Sequence, residues 1–146
     1  MLHVSTKNFV DTTKSFVYAD IVKLPKPTAG ELEILAVLWR IGPATVRNVH
    51  DQLDQSTGYT TVLKLMQIMA EKGLLQRDES ERAHVYKTRV ARVQTQGQLM
   101  KDLLEKAFEN SAAQMVQQAL ATRKASPKEL AEIREILNRY EKENLK

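Results

Sequence analysis

The chain has 146 residues, no cysteine, three histidines and a net charge of +4 from 22 basic and 18 acidic side chains. The lack of cysteine excludes a disulfide scaffold, a thiolate metal or iron–sulfur site and a cysteine nucleophile. One Trp, three Phe and four Tyr are too few for a platform that stacks single-stranded nucleic acid. No stretch approaches the roughly 20 apolar residues of a spanning helix. The patch Phe16-Val17-Tyr18-Ala19, cut by Asp20, is too short for the core of a signal peptide. No membrane insertion and a cytoplasmic location are therefore expected.

Residues 1–27 show no helical apolar period and end in Leu24-Pro25-Lys26-Pro27, which the prolines hold extended. They read as a flexible N-terminal extension, with a docking arm as the alternative. Thr28-Ala29-Gly30-Glu31 has the form of a capping box. Behind it Leu32, Leu35, Ala36 and Trp39, widened by Ile34 and Leu38, repeat at helical spacing as far as Gly42-Pro43. A second helix is expected from Thr45 to about Leu53, with Val46, Val49, His50 and Leu53 on one side. Residues 54–58 are polar and turn-forming. The third helix should run from Tyr59 to Lys72, bury Val62, Leu65, Met66 and Met69, and close on a left-handed Gly73. The period then changes to that of two short strands, Leu75–Arg77 and Ala83–Lys87, around an Asp78-Glu79-Ser80-Glu81 tip. Three helices and a hairpin predict a winged helix-turn-helix domain over residues 28–90.

Residues 91–146 predict a second, helical domain, so the fold class is mainly α. Leu99, Met100, Leu103, Leu104, Ala107 and Phe108 form one apolar stripe. Ser111 caps a short helix carrying Met115, Val116, Ala119 and Leu120. Ser126-Pro127-Lys128-Glu129 has the form of a second capping box and opens a helix lined by Leu130, Ile133, Leu137 and Tyr140. Three such amphipathic helices do not readily close a core alone, so a homodimer is expected to bury these stripes.

Catalytic chemistry finds no support in the residues. His3, His50 and His84 are scattered, without the spacing of metal ligands, and no glycine-rich phosphate loop is present. No enzyme site, metal or cofactor is expected. A nucleic-acid partner fits better. The exposed face of the third helix should carry Thr60, Thr61, Lys64, Gln67 and Ile68, and the first turns of such a helix meet base edges in the major groove. From Arg82 to Lys101 there is no acidic residue, whereas Arg82, Lys87, Arg89, Arg92 and Lys101 are basic. Arg82, Lys87 and Arg89 are expected beside phosphates, which provide affinity rather than sequence information. Double-stranded DNA is thus the expected partner. The alternative is a winged-helix protein-interaction module without a DNA target. Its support is the near-even charge, with 12 basic and 10 acidic residues in 1–90 and 10 and 8 in 91–146.

Four segments in order resemble the bacterial penicillinase repressors, regulators of β-lactamase and penicillin-resistance genes that include copper-responsive members. Thr28-Ala29-Gly30-Glu31-Leu32-Glu33-Ile34-Leu35 with Leu38-Trp39 is similar to their first helix. Thr60-Thr61-Val62 through Ala70-Glu71-Lys72-Gly73-Leu74 is similar to their recognition helix, and Arg82 with Val85-Tyr86 to their wing. Glu132 to Arg139 is similar to their final dimerisation helix. The resemblance implies a homodimeric repressor on a palindromic operator, with Thr60, Thr61 and Lys64 on the recognition helix and Arg82 near phosphate. It also implies a membrane β-lactam sensor that triggers proteolysis at an Asn-Phe bond. Asp102-Leu103 stands at the aligned position here, a departure from that pattern. The paired cysteines of the copper-responsive branch are absent, and Glu81 replaces the usual glycine before the wing arginine.

Overall fold

A computed structural model describes residues 24–145. The readings of Phe16–Asp20, His3 and the rest of residues 1–23 lie outside these. The chain divides into two compact units at the Lys101–Asp102 bond.

In the first unit, helix α1 (Ala29–Ile41) begins at a complete capping box. The Thr28 hydroxyl accepts from Glu31 N, and Glu31 Oε1 accepts from Thr28 N at 2.9 Å. The chain leaves α1 through Gly42, whose φ of 85° lies where side chains are strained. Strand β1 (Ala44–Thr45) follows, then α2 (Val46–Gln52), capped by Thr45 and Asn48, and α3 (Tyr59–Lys72). Gly73 ends α3 in the left-handed region, φ 88° and ψ 10°, and lets Leu74 N donate to Met69 O at 2.9 Å. Strands β2 (Leu75–Asp78) and β3 (Val85–Thr88) form the wing. The antiparallel sheet has the order β1-β3-β2, with Ala44 opposite Tyr86 and Gln76 opposite Lys87.

The core is a single cluster. Ile34, Leu35, Val37 and Leu38 of α1 meet Val46 and Val49 of α2, Val62, Met66 and Met69 of α3, and Leu74, Leu75, Tyr86 and Val90. Each such large side chain contributes about 1.5–3 kcal/mol by leaving water. Val37 is buried whereas Ala36, expected inside, is exposed, because the α1 face centres between Ile34 and Leu38. Leu65 is only half-buried. β1 was not expected: two residues carry no alternation, and their strand geometry comes from pairing with β3.

Glu31 is a buried carboxylate, 2% exposed. Lys72 Nζ, at the far end of α3, donates to its Oε1 at 2.6 Å and reaches Lys26 O at 3.4 Å. Burial opposes ionisation, but the bonds from Lys72 and the Thr28 backbone outweigh it and hold the carboxyl below its ordinary range. The extension expected to end at residue 27 has its last residues in the packed unit. Leu24 lies against the core, Pro27 is buried, and Gln98 Nε2 donates to Leu24 O at 2.7 Å.

Helix α4 (Arg92–Ala107) begins in the first unit. The division between units falls inside this helix rather than between residues 90 and 91, since Thr95 is buried and Gln98 is bonded to Leu24. Trp39 Nε1 donates to Val90 O at 3.0 Å, and the Arg92 guanidinium lies 5.9 Å from the Trp39 ring centroid.

The second unit holds the end of α4, α5 (Ala112–Thr122) and α6 (Pro127–Asn144). Glu109 and Asn110 take positive φ, 48° and 63°, to turn the chain, and Ser111 Oγ caps α5 by accepting from Gln114 N. Ser126 Oγ likewise accepts from Glu129 N, with Pro127 at the first helical position. The expected second capping box is half formed. The Glu129 carboxylate instead takes the Arg123 guanidinium at 2.9 and 2.8 Å, a charge-assisted pair stronger than a bond to a neutral amide. Among the described residues of this unit none is buried. None of the described helices is long and apolar enough to cross a membrane.

Candidate nucleic-acid interface

Helix α3 presents its polar face because its apolar residues are spent on the core. With Val62, Met66 and Met69 buried, the helical repeat sets Lys64 opposite the core. Thr60 and Gln67 fall on one flank and Thr61 on the other. All four are exposed, while Ile68, also expected outside, is half-buried.

An open cleft runs between this helix and the wing. Tyr59, Leu63 and Gln67 of α3 form one wall, Arg77 and Tyr86 with Arg82, Ala83 and His84 the other, and Thr45, Val46 and Arg47 close one end. Gln67 and Arg82 thus line one cleft. The structure does not bring Lys87 there. It alternates with Tyr86 along β3 and lies beside Pro43 and Gln76 on the other side of the sheet. Arg89 is exposed just beyond β3, where its N–H donates to Leu74 O at 2.9 Å.

Several lining residues were not singled out in the sequence. Arg47 Cζ sits 5.1 Å from the Tyr59 ring centroid, and the His50 ring meets Tyr59 edge-on at 5.9 Å. This contact sets the Arg47 guanidinium beside Tyr59 in the cleft lining. His50 Nε2 lies 2.9 Å from Thr57 O. A carbonyl only accepts, so Nε2 carries a proton, and this bond ties the loop before α3 to α2. Arg77 Nε donates to the Glu79 carboxylate at 3.1 Å, and the neighbouring Tyr86 and Glu79 side chains hold its guanidinium charged beyond the usual range. The one sequence signal for Arg47 was that it falls off the Val46 and Val49 spacing. Arg77 gave none beyond its place in a strand.

In the second unit Leu103, Val116, Leu120, Leu137 and Tyr140 are exposed, the last two at 56% and 62%. Leu104, Phe108, Met115, Leu130 and Ile133 are half-buried. Asp102 and Leu103 lie within α4, where Lys106 Nζ approaches Asp102 Oδ1 at 3.5 Å. Among the described residues no cluster of three or more His, Asp or Glu side chains could hold a metal.

Fold and cleft together define a winged-helix protein with a helical C-terminal unit. The model of the penicillinase repressor family matches residues 27–139, and the chain belongs to that family. It is similar to the transcriptional regulator BlaI of Mycobacterium tuberculosis, 36% identical over 90 residues, 58% of this chain and 65% of that protein. The chain therefore spans slightly less than two thirds of that relative's length. Among solved structures, a MarR family protein from Bacillus stearothermophilus aligns over all of both chains at 16% identity and a TM-score of 0.44. A mutant MarR from E. coli complexed with operator DNA aligns over 94% of this chain and 99% of that one, at 13% identity and 0.46.

Proposed function

We propose that this chain is a homodimeric, sequence-specific DNA-binding repressor, cytoplasmic and without catalytic activity. The observation that carries the reading is the exposed polar face of α3, with Thr60, Thr61, Lys64 and Gln67, set beside a wing that bears Arg77 and Arg82. Threonine hydroxyls and methyls, the Lys64 ammonium and the Gln67 amide match the donors, acceptors and thymine methyl of the major groove. Arg47, Arg77, Arg82 and Arg89 supply phosphate contacts. Two copies related by a two-fold axis place two such helices about 34 Å apart on a palindromic operator and exclude polymerase. The exposed apolar side chains of α4, α5 and α6 supply the dimer seam.

Family membership supports control of β-lactam resistance or related stress genes. The family's route out of repression, a membrane sensor with its protease, would act here at Asp102-Leu103. That pair departs from the Asn-Phe bond and lies in helical backbone that must first unwind to enter an active site.

The test uses a site selected by the protein from a pool of random duplexes. Lys64→Ala should weaken that complex by about 1–3 kcal/mol while changing binding to random duplex little. An equal loss on both would make Lys64 a phosphate contact. Duplex binding through Z phosphates should also show a log–log salt slope near −0.9Z. A wild-type chain without salt-dependent duplex binding would leave the protein-interaction module in its place.

A further inference from the structure

The wing tip holds an anion where a duplex-facing wing needs cations. β2 ends at Asp78, whose Oδ1 accepts from Ser80 N at 2.9 Å, and this small turn sets Glu79 at the tip. Glu79 Oε2 lies 3.1 Å from Arg77 Nε and 3.0 Å from Arg77 Nη2. Its other oxygen, Oε1, is 3.9 Å from His84 Nε2. Arg77 and His84 both line the cleft beside α3. Glu79 therefore already faces two of the basic side chains that an incoming phosphate would meet.

We infer that Glu79 is a specificity-determining residue, an internal carboxylate that occupies Arg77 and is exchanged for a phosphate only when a duplex is fully seated against α3. The inference rests on the DNA-binding reading above. A guanidinium bonds carboxylate and phosphate in the same forked manner, so the exchange is chemically simple. A duplex that merely slides past offers phosphates but no base edges. Separating Arg77 from Glu79 then gains little, and the released carboxylate repels the backbone. A seated duplex adds the contacts of Thr60, Lys64 and Gln67, which offset that repulsion. Opening the pair costs the seated complex the full strength of the Arg77–Glu79 contact. The sliding complex leaves the pair closed and forgoes only one weaker phosphate contact, so the carboxylate weakens the seated complex more than the sliding one. The pair is solvent-exposed, with side chains 36% and 56% accessible, so the effect is a tuning of affinity rather than an on–off gate.

The test measures dissociation constants over a salt series for the selected site and for random duplex, with wild type, Glu79→Gln and Glu81→Gln. Glu79→Gln keeps the side-chain shape and removes the charge. It should tighten random-duplex binding about threefold and steepen its salt slope by about 0.9, one additional phosphate contact. The selected site should gain more than this with its salt slope unchanged, because Arg77 already meets phosphate there in wild type, so the ratio between the two rises. Glu81→Gln removes the same charge from the same tip, outside the Arg77 pair, and should leave slope and ratio near wild type. Equal shifts in both variants would show that tip charge alone is at work and would overturn the inference. So would an unchanged ratio in Glu79→Gln while wild type binds with the expected slope, and that result leaves the repressor reading intact. A wild type with no salt-dependent duplex binding overturns both.

Discussion

The two units solve the problem of apolar surface in opposite ways. The winged-helix unit folds three helices and a small sheet around a closed cluster, in which Leu35, Val49, Val62, Met66, Met69 and Leu74 have no exposed surface. The helical unit has amphipathic helices of comparable length, yet leaves Ile136, Leu137 and Tyr140 more than half exposed. The first unit's helices cross one another and can cover each other's faces, whereas the second unit keeps its apolar stripes open to a further surface. The first unit is thus self-sufficient in its packing, and in the proposed repressor the second unit depends on pairing two copies. In the proposed dimer that dependence makes assembly sensitive to concentration, since only the paired form would bury these side chains.

The largest expected effect falls on the dependent unit. Leu137→Asp enters a two-fold seam twice, and burying unpaired charge there should weaken dimerisation by about 4 kcal/mol, close to a thousandfold. Light scattering should show monomers, while the winged-helix unit still unfolds at its wild-type denaturant concentration. A variant that remains a stable dimer removes Leu137 from the seam. Next in size, Met66→Ala opens a cavity in the self-sufficient unit and should lower its unfolding free energy by about 3 kcal/mol. Equilibrium denaturation should show this at every protein concentration. A loss that vanishes at high concentration would mean that the first unit also leans on assembly.

The smallest effect concerns Glu31 and acid. Its folded-state carboxyl is held below the ordinary value of 4.5, so the ionised form stabilises the fold above that pH. The contribution fades as pH falls through the lowered value. Wild type should therefore lose about 1 kcal/mol of stability across that acid range, and Glu31→Gln should lose less. Thermal melts from pH 6 down to pH 3 compare the two, and parallel curves would show that the Lys72 bond adds nothing in the folded state.

What could be read in the sequence depended on how local its cause was. Thr28 and Glu31 announced the start of α1, and Gly73 the end of α3, because caps act within four residues. The bounds of α3 were legible in full, since Val62, Met66 and Met69 recur at one helical face. β1 was not legible, because Ala44 and Thr45 become a strand only through Tyr86 and Val85. Nor was the second role of Glu31, whose partner Lys72 stands at the other end of α3. The candidate interface divided similarly. Lys64 and Gln67 followed from helical period, but Arg47, Tyr59, Arg77 and His84 share a cleft only once α2, α3 and the wing have met. Lys87 showed the converse. It belongs to an acid-free run of sequence, yet strand alternation turns it to the far side of the sheet.

The chain's single tryptophan, Trp39, is hydrogen-bonded to Val90 O at the exit of the wing, and Arg92 of α4 lies near its ring. It is therefore a built-in optical reporter of the joint through which the wing passes into α4. Loosening of that joint breaks the indole hydrogen bond and admits water, which shifts the emission to longer wavelength. Intrinsic fluorescence can follow this joint, together with the melting of the winged-helix unit whose core Trp39 packs against, without any label.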